Sequence, residues 1–388
     1  MSENRVKNFS SLLEKNGIDC AIVIGTSNVA YLSGFMPIAT MERPIIYVHH
    51  VGSDPTLIVP ILELEHAREK SWVKDIRPYY EYKVEIPNAF SSYLDLLEHV
   101  VSEKVKGSEK LAFDLNNIPA TVYLKYSNKF KDRPILDCTS LIDELRMIKD
   151  EREIELLKIS AKITDKTLEY LIREAVKPGK TELELLADII SYVNYEGAKY
   201  FPQAEAGLEG FGCGVIWSGP RSAIPHSAPS TRKVLEGDSI ILSVGAKCAG
   251  YSAEDERTVF LGKPSEEKIR YFKVAYEAQQ RAFDASKPGA RAGDVDAAAL
   301  NHIRSKGMGK CIKHRTGHGI GLDFHEPPYI REDSDLVLKE GMVYSVEPGV
   351  YVEGVGGFRH SDTLLVTKSG YELITKYPRE LEDLIIER

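Results

Sequence analysis

The sequence predicts a two-domain α/β protein, and three observations support this fold class: the chain length, an alternation of strand and helix patterns in the first third, and an internal repeat in the remainder. With 388 residues the chain is longer than one hydrophobic core usually serves. Its hydrophobic content of 43% and charged content of 28% are ordinary for a globular protein of enzyme size. We therefore expect one domain at residues 1–148 and a second at residues 149–388.

The first domain is expected to contain a sheet covered by helices. Four short β-branched runs predict strands, and a longer amphipathic segment, NIPATVYLKYSNKF, predicts a helix. The strand runs are DCAIVIG, RPIIYVHH, PTLIVPI and KLAFDL. Neither of the glycine-rich patterns that bind nucleotide phosphates is present. A long helical segment beginning KDEREIELLK, with acids in its first turn, opens the second domain.

The second domain contains a repeat of four elements in the same order. A helix, the tripeptide Lys177-Pro178-Gly179 and another helix lead to Glu236-Gly237 and two apolar strands. The same order recurs around Lys287-Pro288-Gly289 and Glu340-Gly341. Two equivalent halves that close on each other would leave a cleft between their strands, which is a usual place for a ligand.

The repeat also pairs two positions within this cleft. Ser243 lies six residues after the glycine of the first copy, and Glu347 lies six residues after the glycine of the second. We expect these two side chains to occupy matching places, one of them acidic and the other not.

Composition limits the classes of partner. The net charge of −8 argues against nucleic acid, and no run approaches the ~18 apolar residues of a membrane span. The N-terminal segment is an amphipathic helix with acids, unlike a signal peptide. The five cysteines are scattered and form no C-x-x-C pair, which is typical of buried thiols in a reducing compartment. We therefore expect a cytoplasmic protein.

Three consecutive acids lie in the strand GYSAEDERTVF. Because side chains alternate along a strand, Glu254 and Glu256 should share one face and Asp255 the other. Taken alone, Glu256 is most simply interpreted as a surface ion pair with Arg257 or Lys247.

The densest group of candidate catalytic residues is HRTGHGIGLDFHEPP, which contains His314, His318, His325 and Glu326 among glycines. A histidine cluster in a glycine-rich segment is a candidate for metal binding or acid–base chemistry. His302, alone on a helix, is interpreted as an ordinary polar residue.

A further histidine lies in the loop SGPRSAIPHSAPSTRKV. His226 is flanked by Pro225 and Pro229, which restrict the backbone and would position the ring. A lone loop histidine is usually surface, but this rigid setting makes it a candidate.

Four ordered motifs resemble the creatinase/prolidase family, the pita-bread proteins. They are GHGIGLDFHEPP, VEPGVYVEGVGGFRHSDTLLVT, SGPRSAIPHSAPSTRKVLEGD and GYSAEDERTVFLG. The resemblance covers nearly the whole chain. It implies an N-terminal RNase H-like α/β domain, a C-terminal pseudo-duplicated catalytic domain, and a homodimer.

Prolidases of this family bind two metal ions with five ligands, two aspartates, a histidine and two glutamates. The resemblance places these ligands at Ser243, Glu254, His318, Glu347 and Ser361. Only His318 and Glu347 match, Glu254 is one methylene longer, and a hydroxyl is a poor substitute for a carboxylate. We therefore expect no metal cofactor. One divalent ion, manganese, cobalt or zinc, on Glu254, His318 and Glu347 is the alternative.

The metal-free branch of the family, creatinase, fits the pattern better. Its resemblance makes His226 the catalytic acid and base, with Glu256 and Glu347 holding a cationic substrate group. Two carboxylates in a closed cleft repel each other unless a cation lies between them, and a guanidinium would pair with both. Arg43, in MERPII, matches an arginine that reaches the substrate carboxylate of the partner subunit.

Other residues of the cleft complete the expected site and show where the resemblance fails. His318 and His325 would orient the substrate or a water molecule, and Glu254 would line the binding site. Creatinase has a histidine at the position of Ser361, whereas this chain has His360, which a strand would turn to the opposite side.

Three functions remain open on these grounds. The first is a metal-independent hydrolase that cleaves a C–N bond in a small carboxylate-bearing guanidino, amidine or amide compound. The second is an Xaa-Pro dipeptidase or aminopeptidase with a reduced metal site. The third is a binding protein that keeps the fold without activity, against which the retained histidines and glutamates argue.

Overall fold

The computed structural model describes residues 2–36, 42–83, 85–200 and 212–387. Contacts between Cα atoms divide the chain into two compact units, Met1–Arg146 and Met147–Arg388. The described residues contain no helix that is both long and apolar enough to cross a membrane.

Unit 1 is built on a six-stranded sheet in the order β4-β3-β2-β1-β5-β6. Strands β1, β2 and β3 are antiparallel neighbours, whereas β5 and β6 continue from β1 in parallel. This arrangement is the RNase H-like sheet that the resemblance implies. The elements are α1 Ser2–Lys15, β1 Cys20–Val23, α2 Thr26–Ser33, β2 Ile46–His50, β3 Thr56–Pro60, α3 Leu64–Lys70, β4 Asp75–Tyr79, α4 Tyr93–Lys104, β5 Leu111–Phe113, α5 Ala120–Lys129, β6 Ile135–Asp137 and α6 Thr139–Met147.

The predicted strand runs of unit 1 are buried, as their β-branched composition requires. Every residue of β1 and of β3 is buried, and the apolar side of α4 packs on the same core through Leu96, Leu97, Val100 and Val101. Ser92 accepts a hydrogen bond from the Leu94 N–H and so caps the first turn of α4.

Unit 2 contains a mixed sheet of nine strands, with the main order β11-β10-β12-β15-β9-β8-β7, while β16 pairs with β15 and β17 with β9. The hairpin of β13 and β14 lies outside this sheet. The elements are α7 Glu151–Tyr170, α8 Glu182–Gly197, β7 Gly212–Ser218, β8 Ser239–Cys248, β9 Tyr251–Leu261, α9 Glu266–Ala285, α10 Ala292–Ser305, β10 Gly317–Gly319, β11 Glu326–Ile330, β12 Val343–Val346, β13 Gly349–Val352, β14 Gly356–Arg359, β15 Ser361–Val366, β16 Tyr371–Leu373 and β17 Ile385–Ile386.

The long helix α7 begins where its charges predict. The Asp150 side chain accepts from the Glu153 N–H, and the Glu153 side chain accepts from the Asp150 N–H. Two backbone N–H groups that have no partner within the helix are thereby satisfied. One face of the helix then carries buried apolar residues against the sheet.

The internal repeat is confirmed at its glycines. Gly179 and Gly289 adopt φ of 84° and 89°. The Gly179 N–H donates to the Val234 carbonyl and the Gly289 N–H to the Leu338 carbonyl, both at 2.9 Å. Gly237 and Gly341, which precede the strands of the two copies, adopt φ of 83° and 86°. Left-handed backbone at equivalent places favours glycine in both halves, which is why these short peptides recur in the sequence.

His360 lies on the side opposite to the cleft, as strand alternation predicts. Its side chain is buried, and its ring meets Phe272 edge-on at 4.7 Å between centroids. Neither ring nitrogen has a hydrogen-bond partner among the described residues. Burial, assisted by the charges of Arg257 and Arg379, lowers the pKa of His360 well below its ordinary value of 6.5.

This burial predicts an acid-sensitive fold. Below pH 6.5 the unfolded chain binds a proton at His360 and the folded chain does not, so folding stability falls as the pH falls. We expect the parent protein to lose about 2 kcal/mol more than a His360→Leu variant between pH 7 and pH 5. Urea unfolding at several pH values measures this difference. The exposed His226, replaced by asparagine, is the control, and parallel curves for the parent and His360→Leu would contradict the assignment.

Candidate active site

Strand β9 directs two of its three acids into the cleft. Its pairing with β8 runs without interruption from Tyr251 to Phe260, so no bulge alters the alternation of side chains. Asp255 is buried on the other side, where it pairs with Arg257. The prediction that Glu254 and Glu256 share one face is confirmed.

Glu254, Glu256 and Glu347 form a cluster of three carboxylates. One oxygen from each lies within 4.8 Å of the others. Burial raises the pKa of Glu256 to about 8 against the opposing charge of Arg359, and the two neighbouring carboxylates add to the rise. Burial and the charge of Glu347 also raise the pKa of Glu254. Both shifts come first from burial, and repulsion among the carboxylates adds to them.

Arg359 supplies the positive charge of the site, and the sequence interpretation missed it. Its Nη2 donates to Glu256 Oε1 at 2.6 Å, and its Nε lies 2.5 Å from Oε2 of the same carboxylate. Its Nη1 lies 3.9 Å from Glu347 Oε2. The guanidinium also stacks on the Trp217 ring at 5.0 Å, which fixes its plane.

The expected binding of a substrate guanidinium by Glu256 and Glu347 is therefore not supported. A guanidinium of the chain itself already contacts both oxygens of Glu256. The simple alternative for Glu256, a surface pair with Arg257 or Lys247, is also wrong, because Glu256 is only 2% exposed. A signal was present in the motif GGFRHSD, where an arginine stands two residues before the expected ligand position 361.

Two histidines meet the carboxylates from β10 and the segment before β11. Nε2 of His318 lies 3.1 Å from Glu347 Oε1, and the His318 and His325 rings are 3.7 Å apart between centroids. The pKa of His318 rises to about 9, because contact with Glu347 and the charge of Glu254 outweigh its burial. Burial and the charge of His318 lower the pKa of His325 to about 4, so this more exposed ring is neutral at pH 7.

The pKa of Glu347 moves in the opposite direction to those of its neighbours. Burial acts to raise it, but contact with His318 and the charges of His318 and Arg359 lower it to about 2. Glu347 is therefore ionised throughout the neutral range and is the firmest negative charge of the cluster.

His314, His318 and His325 do not play equivalent parts. His314 Nδ1 donates to the Arg315 carbonyl at 2.7 Å, so its Nε2 accepts from the Tyr351 hydroxyl, also at 2.7 Å. The Tyr351 oxygen in turn accepts from Arg359 Nη1 at 3.3 Å. His314 thus belongs to a chain of hydrogen bonds that orients Arg359.

His226 lies in an exposed loop near these rings. Trp217 Nε1 donates to the Ser227 carbonyl at 2.6 Å and so ties the loop to β7. His226 is close enough for its charge to act on both His314 and His325. The proline-restricted loop therefore presents His226 toward the histidine side of the cleft.

Arg43 belongs to unit 1, and its described contacts lie there. Its Nε donates to Glu81 at 2.7 Å, and its side chain is 40% exposed. Its predicted role across a dimer interface stays a prediction.

The donor set fits a divalent cation. Glu254, His318 and His325 form a second group whose ligand atoms lie within 4.8 Å of one another. Nε2 of His318 and Oε2 of Glu256 are buried atoms that contact charged groups of the site, Glu347 at 3.1 Å and Arg359 at 2.5 Å. An imidazole nitrogen and carboxylate oxygens gathered in this way are suitable ligands for a transition-metal ion.

The Arg359–Glu256 pair predicts a large effect on stability. At pH 9, above the pKa of Glu256 at about 8, replacing Arg359 with methionine leaves a buried carboxylate without its counter-charge, which typically costs ~3–5 kcal/mol. A double variant, Arg359→Met with Glu256→Gln, should recover most of that loss because the charge is removed as well. Chemical unfolding of the metal-free proteins measures both. Arg304→Met, which breaks an exposed pair with Glu332, is the control and should cost below ~1 kcal/mol. A double variant no more stable than Arg359→Met would contradict the pairing.

Two family profiles match nearly the whole chain. Residues 5–148 match the Creatinase/Prolidase N-terminal domain, and residues 155–368 match Metallopeptidase family M24.

Curated relatives and solved structures match over their full lengths. The Xaa-Pro dipeptidase of Pyrococcus horikoshii is 32% identical over 377 residues, which cover 97% of this chain and 98% of the relative. A prolidase structure from Thermococcus sibiricus superposes with a TM-score of 0.87 at 32% identity, covering 100% of this chain and 99% of that one. An Xaa-Pro dipeptidase structure from Bacillus anthracis gives 0.85 at 28% identity, covering 99% and 100%.

These matches correct one expectation. The absence of a metal cofactor was expected because serines occupy ligand positions 243 and 361, and this expectation is wrong. The matching profile is that of a metallopeptidase, and the cleft contains two groups of side chains able to hold a metal ion. Glu256 brings a carboxylate into the cleft that the family's ligand pattern does not contain. By sequence and by fold, this chain belongs to metallopeptidase family M24.

Proposed function

We propose that this protein is an Xaa-Pro dipeptidase whose activity depends on a divalent metal ion held by Glu254, His318 and Glu347. The observation that carries the proposal is the convergence of these side chains. Nε2 of His318 lies 3.1 Å from Glu347 Oε1, and a ring nitrogen of His318 lies within 4.8 Å of a Glu254 oxygen. Relatives that match over their full length are named Xaa-Pro dipeptidases and a prolidase.

A divalent ion in such a site supplies Lewis acidity for the attack of water on a peptide carbonyl. The protein contributes the charges that hold the ion. Glu347 stays ionised at neutral pH, since its pKa lies at about 2. Ser361 Oγ donates to Glu254 Oε1 at 2.7 Å, which leaves the other carboxylate oxygen of Glu254 outside this bond. The hydroxyl of Ser361, which stands where the family has a carboxylate ligand, thus orients the carboxylate of Glu254.

The histidines at the edge of the cleft are suited to the substrate rather than to the ion. His325 is neutral at pH 7, so its ring offers one donor and one acceptor. His226 lies on a loop whose backbone is restricted by two prolines and tied by Trp217. A dipeptide that ends in proline presents a carbonyl and a carboxylate, which are both acceptors for imidazole N–H groups. We infer that these two rings bind those oxygens, and that His226 transfers the proton that the leaving nitrogen requires.

The hydrolysis of a guanidino or amidine compound is the weaker candidate. It needs a substrate guanidinium that faces both oxygens of Glu256, and the guanidinium of Arg359 already contacts both of them. Peptide hydrolysis does not need that cation site. The ionised Glu347 beside His318 argues against an inactive binding protein, which would show no hydrolysis of Xaa-Pro dipeptides with any metal.

Hydrolysis of Xaa-Pro dipeptides should require the metal. Protein stripped with a chelator and then supplied with Mn²⁺, Co²⁺ or Zn²⁺ should hydrolyse Ala-Pro or Leu-Pro, and should lose activity again when the chelator returns. Glu347→Gln removes a ligand, so its kcat/KM should fall by more than the ~10–100-fold that losing an outer contact costs. Release of proline measures both effects.

The matched control is Glu353→Gln, an exposed acid in the turn that follows β13. It should leave kcat/KM unchanged. Equal activity with and without chelator would contradict the proposal, as would turnover of creatine or a guanidino acid in place of Xaa-Pro dipeptides.

His226 should affect turnover without affecting metal content. If it transfers a proton to the leaving nitrogen, His226→Ala should lower kcat by ~10²–10⁴-fold. Metal equivalents per chain should stay those of the parent, because the ring is exposed and belongs to neither ligand group. Steady-state kinetics with metal analysis of the same sample separates the two roles. A kcat within twofold of the parent would exclude His226 from the chemical step.

A further inference from the structure

The carboxylate of Glu256 occupies the centre of a row that crosses three strands. Ser243 on β8 lies directly beside Glu256 on β9, and Ser361 on β15 lies directly beside it on the other side. Ser243 hydrogen-bonds to the Glu256 carboxylate. The two residues flanking this acid are therefore hydroxyls, at the positions where the family resemblance places carboxylate ligands.

Side chains directly opposite on paired strands have Cβ atoms about 4.5–5.5 Å apart. A glutamate on the middle strand can therefore bring its carboxylate into the same space that an acid on either flanking strand would reach. The Glu256 oxygen does lie within 4.8 Å of ligand atoms of Glu254 and Glu347.

The contact with Arg359 leaves capacity for a cation. A carboxylate has about four lone-pair positions on its two oxygens. Arg359 takes one of them at each oxygen, through Nη2 at Oε1 and through the contact of Nε with Oε2 at 2.5 Å, and Ser243 takes a third, so one position remains for a cation. The guanidinium, fixed by Trp217 and Tyr351, holds the carboxylate plane in one orientation.

Charge balance points to the same conclusion. Glu254, Glu256 and Glu347 carry three negative charges when ionised, and Arg359 is the permanently positive side chain that contacts them in the described part of the chain. His318, with a pKa of about 9, also carries a proton in the metal-free site, and a bound cation would displace that proton. The two negative charges that then remain match one divalent cation. Buried like charges at these distances are otherwise costly.

We propose that Glu256 is itself a ligand of the divalent cation and replaces, from the middle strand, the carboxylates absent at positions 243 and 361. This inference rests on the proposed metal-dependent function and gives the site a ligand set, Glu254, Glu256, Glu347 and His318, in which one acid has moved to the neighbouring strand.

Calorimetric titration of metal-free protein with Mn²⁺ or Co²⁺ tests the assignment without any substrate. Glu256→Gln keeps the shape of the side chain and its hydrogen-bonding oxygen but loses the charge. We expect the dissociation constant to rise by on the order of 100-fold or more, above the range for losing an outer contact. The exchange variant Ser243→Asp with Glu256→Gln returns a carboxylate to the adjacent strand and should bind within ~10-fold of the parent, by the same scale. The absorption spectrum of bound Co²⁺ reports independently on the ligand environment.

Glu353→Gln is the control for charge alone and should titrate like the parent. Near-ultraviolet circular dichroism and melting of the metal-free proteins show whether each variant is folded. Parent-like metal binding by Glu256→Gln would overturn the assignment and leave the proposed function intact. Weak binding by Glu256→Gln with no recovery in the folded exchange variant would overturn the replacement. A parent protein that binds neither cation would overturn both this inference and the proposed function.

Discussion

Three glutamates share one buried space in this protein, and their mutual repulsion is the constraint on which the rest of the site depends. Glu254, Glu256 and Glu347 approach within 4.8 Å of one another. Arg359 compensates part of that charge through its contact with Glu256. Trp217, Tyr351 and His314 then hold the arginine in place by stacking and by a chain of hydrogen bonds. The loop of His226 is attached to the same tryptophan, so the orientation of the arginine and the position of the loop depend on shared contacts.

The duplicated architecture explains how the acids come together. Equivalent glycines with left-handed backbone set the start of corresponding strands in each half, which brings β8 and β12 into one sheet. Ser243 and Glu347 occupy matching places after those glycines and both reach the carboxylate cluster. The second half has an acid at this place, Glu347, and the first half has a serine, Ser243. Glu256, on the strand that pairs with both β8 and β15, lies where it can restore the missing charge.

Local patterns were enough to predict much of this structure. Period-two alternation places Glu254 and Glu256 on one face and His360 on the other, and the repeated tripeptides indicate the duplication from the sequence alone. What local patterns could not show was the partner of Glu256. Arg359 is 103 residues away in sequence, and its pairing depends on how the end of β14 meets β9, where the Arg359 N–H donates to the Thr258 hydroxyl. Without that partner the paired acids suggested a substrate cation, and two absent carboxylates suggested an absent metal. A comparison of the family's ligands position by position does not register a carboxylate on the neighbouring strand, such as that of Glu256.

The central claim is that a divalent cation belongs within this cluster, with Glu256 among its ligands. Crystals of the protein grown with Mn²⁺ or Co²⁺, and measured at the absorption edge of the metal, locate the ion directly by anomalous scattering. We expect an anomalous peak bounded by Glu254, Glu347 and His318, with a Glu256 oxygen at coordination distance. An anomalous map with no peak among these side chains, or with a peak that Glu256 does not reach, would contradict the claim.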